Sequence, residues 1–382
     1  MGAQLSDCPA PPLNLTGEEE FLETWARDRL SVVTVTVIMP ILFFVGLAGN
    51  LAFLFVMARV SWMHTVTNYY LANLAVADIS FLVTAVGEKV WEYRSTPVNI
   101  DTAGFMGRPG CILFNLLKSL SLFASIFLVT LVSLERFYAI CKPVQHWMLS
   151  DKGRTAKLLL VTWSLALVFS CMLVPANSEI AAACFNWPDT DEFRGFPSVI
   201  ANCHPVAGWM LHFKLAMQAV PFTLAMVGNI SLYIMIIKNL NQRVAAKEKK
   251  QATRQGSASA AAGQSNVSQS HQIRNTVARM LIVNGTLFFI CLSPFQFTSV
   301  GFLIAKGLWQ PPILENYKKD IMLTIFRTLT YFNSVINPFV YTVTNKRYRH
   351  AFYVAFTFSR TEQRQRYSKN TSVVTTDMST RM

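Results

Sequence analysis

The sequence has little charge. Only 14% of its 382 residues are Asp, Glu, Lys or Arg, and 52% are hydrophobic, whereas a soluble domain carries roughly 25% charge. This composition excludes an ordinary soluble enzyme and an intrinsically disordered chain. Seven cysteines are also too few for a disulfide-dense secreted fold of this length. Most of the chain is therefore expected to lie in a non-aqueous solvent.

The sequence also lacks the short motifs of common catalytic and metal sites. There is no P-loop, no His-Glu-x-x-His, no Cys-x-x-Cys pair and no internal repeat. The first 30 residues are polar and acidic and do not show the basic-then-apolar pattern of a signal peptide. We therefore expect no enzymatic activity, and we expect the first apolar segment to direct its own insertion.

Seven stretches are long and apolar enough to cross a bilayer, which takes roughly 20 mostly apolar residues. Helices are expected because each satisfies its own backbone hydrogen bonds in lipid. The predicted fold is an all-α membrane protein, with a seven-transmembrane helix bundle at 31–344 and a short amphipathic eighth helix at 345–358. An extracellular tail (1–30) precedes the bundle, and a disordered cytoplasmic tail (359–382) ends the chain. The approximate spans are 31–59, 67–93, 108–140, 155–178, 207–240, 272–305 and 320–344.

The basic residues are concentrated on one side of this predicted bundle. Segments 58–67, 135–157, 238–279 and 345–382 hold 22 basic and 5 acidic residues, a net charge of +17, whereas the rest of the chain has −4. The positive-inside rule assigns these segments to the cytoplasm, which leaves the N-terminus outside the plasma membrane. The sequon at Asn14 then fits a glycosylated outer tail. Because the positive charge is split among four short segments, we expect no nucleic-acid partner.

Each predicted span carries a short motif. In chain order these motifs are Gly49-Asn50, Leu74-Ala-Val-Ala-Asp78, Cys111 with Glu135-Arg136-Phe137, Trp163, Pro221, Phe288-Phe-Ile-Cys-Leu-Ser-Pro294 and Asn337-Pro-Phe-Val-Tyr341. Over about residues 31–358 their order and spacing resemble the rhodopsin-like (class A) G-protein-coupled receptors, most closely the neuropeptide receptor group.

The resemblance implies a receptor that binds an extracellular ligand and activates a heterotrimeric G protein. Its implied partners are a neuropeptide, a receptor kinase, arrestin and the lipid bilayer. Two alternatives stay open: a rhodopsin-like receptor for a small anionic metabolite or lipid mediator, and, from another class, a transporter or channel. The latter would need a continuous polar path or discontinuous helices in repeated halves, and no such repeat is visible.

Charged residues in the outer half of the predicted bundle indicate the ligand chemistry. Lys118 lies 18 residues before Arg136, about five helical turns, where amine receptors carry an aspartate; lysine there argues against a monoamine. Buried charges need partners. Glu88 would pair with Lys118 or Arg327, or a surplus cation would bind an anionic ligand group such as a peptide carboxylate or a small carboxylic or phosphate ligand. The predicted ligand-binding residues are Glu88, Lys118, Lys214, Gln296, Arg327 and Tyr331.

Asp78 is a carboxylate at mid-membrane depth and needs partners. Two interpretations stay open, a hydrogen-bonded polar core and, by resemblance, a pocket for an allosteric sodium ion. No other cofactor and no other metal are expected. The residues predicted for this pocket are Asp78, Ser125, Asn333, Ser334 and Asn337.

The resemblance also implies an activation switch and a coupling site. Prolines inside spans permit kinks and hence two packings of similar energy. Glu135 and Arg136 would form an ion pair that opens on activation, and Val144 would insert into the G protein. The switch residues are Ile126, Pro221, Phe288, Pro294, Pro338 and Tyr341.

One disulfide is implied between Cys111 and the second outer loop. Cys203 is favoured because its spacing to Pro221 suits the family, and Cys184 is the alternative. If Cys203 is the partner, Cys184 is left to form a second bridge with Cys8.

The sequence departs from the family pattern at three positions that bear on activation. Leu292 stands where a tryptophan is usual, and Asn229 stands where a tyrosine often pairs with Tyr341 in the active state. Arg274 stands where an acid would complete an ion pair with Arg136. These differences affect the expected activation details more than the expected fold.

Overall fold

The computed structural model describes residues 12–14, 16, 27, 29–98, 106–149, 152–191, 193–254, 264–307 and 316–357. Seven long helices form a bundle: α1 (Arg29–Arg59), α2 (Val66–Ser95), α3 (Gly107–Cys141), α5 (Lys152–Leu173), α6 (Trp209–Arg254), α7 (Gln264–Gly307) and α8 (Asn316–Thr344). Two short helices, α4 (Pro143–Leu149) and α9 (Lys346–Thr357), lie at one end of the bundle. A sheet of β1 (Leu13–Asn14), β2 (Glu179–Asn186) and β3 (Val199–His204) lies at the other end.

The long helices differ in how apolar they are. Among the described residues, six are long and apolar enough to cross a membrane: α1, α2, α3 and, within different limits, α5 (Gly153–Asn177), α6 (Trp209–Arg243) and α7 (Asn275–Thr298). Helix α8 is also long enough, but Arg327, Asn333, Ser334 and Asn337 interrupt its apolar sequence and lower its mean hydropathy. Asn333, Ser334 and Asn337 are buried inside the bundle and Arg327 lines a cavity, and both are places where a polar group in a membrane protein is tolerated.

Helix α3 is the centre of the bundle, because it packs against α2, α5, α6 and α7. The ring closes through contacts of α1 with α2, of α6 with α7, of α7 with α8, and of α8 with α1. Gly46 allows α1 to approach its neighbours closely, since a Cβ there would lie 2.6 Å from Leu82 of α2 and 2.9 Å from Val335 of α8. A larger residue at this position would push α1 outward.

The sheet is attached to the bundle by a disulfide. Strands β2 and β3 are antiparallel, with Glu179 opposite His204, and β1 joins the edge of β2 in parallel. Cys203 of β3 is bonded to Cys111 near the start of α3, with their Cα atoms 5.7 Å apart. The β2–β3 hairpin is thereby held over the end of the bundle at which α3 begins.

Candidate functional site

A cavity of about 240 Å³ opens beneath the β2–β3 hairpin, between helices α2, α3, α6, α7 and α8. All six residues predicted to bind ligand line it, although they come from five different helices. Those residues are Glu88, Lys118, Lys214, Gln296, Arg327 and Tyr331. The structure therefore brings the whole predicted set into one place.

The charges of this cavity are unevenly distributed. Its lining holds one acidic residue, Glu88, and four basic ones, Lys89, Lys118, Lys214 and Arg327. Glu88 is only 2% exposed and forms a salt bridge with Lys118, so the predicted internal bridge is present between these two residues rather than between Glu88 and Arg327. The lining as a whole therefore has a net positive charge.

The other basic side chains of the lining have different surroundings. Lys89 pairs with Glu92 one turn further along α2, at 3.0 Å. The guanidinium carbon of Arg327 lies 5.8 Å from the centre of the Phe295 ring, a cation–π arrangement. The Phe295 ring thus holds the Arg327 side chain at the wall between α7 and α8.

Several polar lining residues were not predicted from the sequence. Asn115 and Gln218 each lie about one helical turn from a predicted lysine, on α3 and α6 respectively, so helical periodicity alone could have indicated them. Asn177 also lines the cavity, but it belongs to the 3₁₀ turn Val174–Asn177 after α5. No local pattern places that turn against α3 and α6, so its position depends on the tertiary fold.

Deeper in the bundle, Asp78 is 1% exposed and accepts a hydrogen bond from Asn337 Nδ2 at 2.7 Å. Ser334 also lies close enough to interact with this carboxylate. Among the described residues, no hydrogen bond within the usual geometric limits reaches Asp78 Oδ1 or Asn333 Oδ1. Ser125, Asn333 and Ser334 line an adjoining cavity of about 20 Å³. The predicted polar cluster is therefore assembled around buried oxygen atoms that have acceptor capacity left.

Apolar side chains of the predicted switch lie between this polar cluster and α6. Ile126 and Phe288 are almost fully buried in one cluster with Phe222, the neighbour of Pro221. Leu292, which replaces the expected tryptophan, joins the same cluster. Pro221, Pro294 and Pro338 lie inside helices that continue past them.

The coupling residues lie at the opposite end from the ligand cavity. Arg136 Nε is 2.8 Å from Glu135 Oε2, which also accepts a hydrogen bond from Thr67 at 3.1 Å. His146 Nε2 of α4 is 3.1 Å from the other oxygen, Glu135 Oε1. Val144, on the same short helix, is 76% exposed. The Glu135–Arg136 pair was predicted from the sequence, but the contacts of Glu135 with Thr67 and His146 were not, because these two residues lie on other helices.

The cysteine predictions are decided in part. The bond between Cys111 and Cys203 is confirmed, and the alternative pairing of Cys111 with Cys184 is wrong. Cys184 takes part in a different disulfide, and its predicted partner Cys8 lies outside the described residues. Asn14, the predicted glycosylation site, is exposed at the edge of β2.

Comparison with known proteins identifies the class. The model of the 7 transmembrane receptor (rhodopsin family) matches residues 49–341, more than half of the chain, so the chain belongs to this family. It is a receptor of the plasma membrane with several membrane spans, and it is not an enzyme. The predicted fold class and family are confirmed, and the transporter or channel alternative is wrong.

Within this family, the chain is similar to individual receptors that are named for peptides or hormone secretagogues. The chain is 29% identical to the growth hormone secretagogue receptor type 1 of Sus scrofa, over 93% of this chain and 89% of the relative. It is 27% identical to the neuromedin-U receptor 2 of Mus musculus, over 88% of this chain and 79% of that receptor. Similarity to both extends over nearly the whole chain, including the helices that line the cavity.

Proposed function

We propose that this protein is a cell-surface receptor for an extracellular peptide and that it activates a heterotrimeric G protein. The cation-rich cavity beneath the disulfide-anchored hairpin is the main observation in support. Similarity to receptors named for neuromedin U and for growth hormone secretagogues adds to it. The net charge of +17 on four segments supports an orientation with the N-terminus outside and the C-terminus in the cytoplasm.

The cavity favours an anionic group on the ligand. Its lining carries three more basic than acidic residues, and amide side chains such as Gln296 and Asn115 supply further hydrogen-bond donors. Lys118 is paired with Glu88, and the α6–α8 side of the lining carries two further cations, Lys214 and Arg327, to which a ligand carboxylate would bind. Because about 240 Å³ is small beside typical ligand sites of 300–1,000 Å³, the cavity suits one end of a peptide.

The small volume of the cavity also fits a second class of ligand. A small carboxylate or phosphate metabolite, or the head group of a lipid mediator, would fit a cationic cavity of this size. The β2–β3 hairpin favours a peptide, because it extends the available surface beyond the cavity. The N-terminal β1 strand paired with β2 belongs to that surface.

Charge-neutralising variants test the ligand hypothesis. Arg327→Gln and Lys214→Gln are expected to weaken the response to acid-terminated peptides by about tenfold or more, because each removes a charge-assisted hydrogen bond. Arg94→Gln is the matched control, since Arg94 is exposed near the end of α2 and is not among the residues that line the cavity. Second-messenger assays at equal surface expression measure the potencies. Equal potency in all three variants would contradict a carboxylate site.

On the inner side, the proposed G-protein surface combines Arg136 with the exposed Val144 of α4. Activation would separate Arg136 from Glu135 and leave its guanidinium available to the G protein. The Ser- and Thr-rich segment 359–382 is the proposed target of a receptor kinase and of arrestin, because phosphate would add dense negative charge there. That segment lies outside the described residues.

We also propose that Asp78 and its neighbours hold an allosteric sodium ion. No three His, Cys, Asp or Glu side chains converge within the described part of the chain, so the donors are one carboxylate and several hydroxyl and amide oxygens. Oxygen donors suit a hard cation, and the oxygens of Asp78 and Asn333 that lack hydrogen-bond donors supply them.

The sodium proposal predicts salt-specific stabilisation. Replacing N-methylglucamine with sodium at ten times its dissociation constant is expected to stabilise the receptor by about 1.4 kcal/mol. A thermal-shift assay at constant ionic strength measures this. Asp78→Asn should remove the difference between the two cations, and a difference that persists in that variant would argue for sodium binding elsewhere.

A further inference from the structure

Tyr233 is a buried polar residue of α6 for which the activation switch described above gives no role. It lies about one helical turn beyond Asn229 and is 7% exposed. Its hydroxyl lies 2.9 Å from the hydroxyl of Ser133 on α3. Ser133 donates its single proton to the Val129 carbonyl oxygen, also at 2.9 Å, so Tyr233 must be the donor to Ser133.

The second partner of Tyr233 is Gly285 in the backbone of α7. A methyl group added to Gly285 would overlap the Oη and Cζ atoms of Tyr233. Glycine inside a helix is unfavourable relative to alanine, and α7 continues without interruption on both sides of this residue. Gly285 is thus explained by the close approach of α7 to the Tyr233 ring.

These contacts lie close to the coupling site in the chain and in the bundle. Ser133 precedes Arg136 by about one turn of α3. The Tyr233 ring packs in a cluster with Ile140 of α3 and Ala278 of α7. Three helices therefore meet at one tyrosine, between the apolar switch cluster and the inner face.

Asn229 does not repeat this arrangement. Its side chain donates to Thr130 Oγ1 at 3.0 Å, which links α6 to α3 without reaching α7. Of these two α6 residues, Tyr233 is therefore the one whose side chain depends on the position of α7.

We propose that Tyr233 is a positioning residue of the receptor switch. Its hydrogen bond to Ser133 holds the ring in place, and the ring and Gly285 together define the closed packing of α7 against α3 and α6. Any movement of α7 away from α3 and α6 requires this ring contact to break. The proposal rests on the proposed function, because closed here means the arrangement that does not activate the G protein.

The test measures helix position without any G protein. Cys141→Ser and Cys171→Ala first remove the free cysteines that are not buried. Spin labels are then attached to cysteines introduced by Arg279→Cys in the inner half of α7 and Lys157→Cys on α5, both at exposed positions. Double electron–electron resonance then gives the ratio of open to closed receptor. Tyr233→Phe and Ser133→Ala are each expected to raise this ratio about twofold to tenfold, the range implied by one net hydrogen bond, and their combination should add nothing further.

Two further variants distinguish a positioning role of Tyr233 from a general destabilisation of the bundle. Ser133→Thr keeps the hydroxyl and should match the parent receptor. Tyr70→Phe is the matched control, because it removes another buried tyrosine hydroxyl, one bonded to Thr155 and so joining α2 to α5. An unchanged ratio in Tyr233→Phe, or an equal rise in Tyr70→Phe, would overturn the proposal.

Gly285 gives a second and stronger test. Gly285→Ala should open the receptor more than Tyr233→Phe does, because the added methyl overlaps the ring. In a Tyr233→Leu background the same alanine should have no effect, and an equal effect in both backgrounds would overturn the proposal. If the distances shift as expected while no variant changes nucleotide exchange on a G protein, the positioning role stands and the proposed coupling fails.

Discussion

Glu135 is the residue at which three parts of the inner face meet. Arg136 of α3, Thr67 at the start of α2 and His146 of α4 all contact its carboxylate. An acid held by several partners at a mostly buried position is a stable acceptor. The contact with His146 also links the ion pair to the short helix that presents Val144, so movement of α4 and release of Arg136 are expected to be coupled.

This coupling predicts a graded effect of substitution at His146. His146→Phe removes the contact and should raise ligand-independent nucleotide exchange by about threefold to tenfold, because one partly exposed hydrogen bond contributes about 1 kcal/mol. His146→Gln keeps a donor and should stay close to the parent receptor. Exchange on purified G protein at matched receptor amounts is the measurement. Identical rates for the two variants would show that His146 acts by packing alone.

At the scale of elements, α9 is fixed to the bundle by side chains rather than by chain connectivity alone. The buried Tyr348 hydroxyl donates to Asn68 at the start of α2, and burial raises the pKa of Tyr348, so the hydroxyl remains a donor at physiological pH. Arg347 donates to the Trp62 carbonyl at 3.0 Å and lies over the Trp62 ring. Helix α9 is therefore expected to stay docked on the α1–α2 turn.

Loss of this docking bond should lower thermal stability. Tyr348→Phe is expected to cost about 1 kcal/mol, the usual net value of a buried hydrogen bond, and to lower the melting temperature in a thermal-shift assay. Tyr353→Phe, at an exposed position of the same helix, is the control and should change it less. In an Asn68→Ala background the Tyr348→Phe effect should disappear, whereas an undiminished effect would show that the Asn68 bond is not its cause.

At the scale of the whole molecule, composition and charge were enough to predict the bundle. Seven apolar stretches and one marked charge asymmetry gave the fold, and spaced motifs gave the family and the Cys111–Cys203 bond. All six predicted ligand residues line one cavity, because they lie in the outer halves of five helices that converge there. Only Arg327 and Tyr331, one turn apart, share a helix face.

Contacts between side chains of different helices could not be predicted in the same way. His146 meets Glu135, and Tyr233 meets Gly285, only because of how the helices are rotated about their axes and how closely they approach. A helical pattern indicates which face is apolar, but a single side-chain contact across two helices depends on small shifts that no local pattern records. The choice of Lys118 over Arg327 as the partner of Glu88 belongs to the same category.

The central claim is that a peptide bound in the outer cavity drives G-protein activation at the inner face. The most direct test is nucleotide exchange on purified heterotrimeric G proteins by the receptor in nanodiscs, with synthetic peptides supplied as free acids and as amides. We predict that at least one acid-terminated peptide accelerates exchange with the parent receptor, and that Arg136→Ala binds the same peptide without accelerating exchange. Acceleration that persists in Arg136→Ala, or no acceleration by any peptide, would contradict the account.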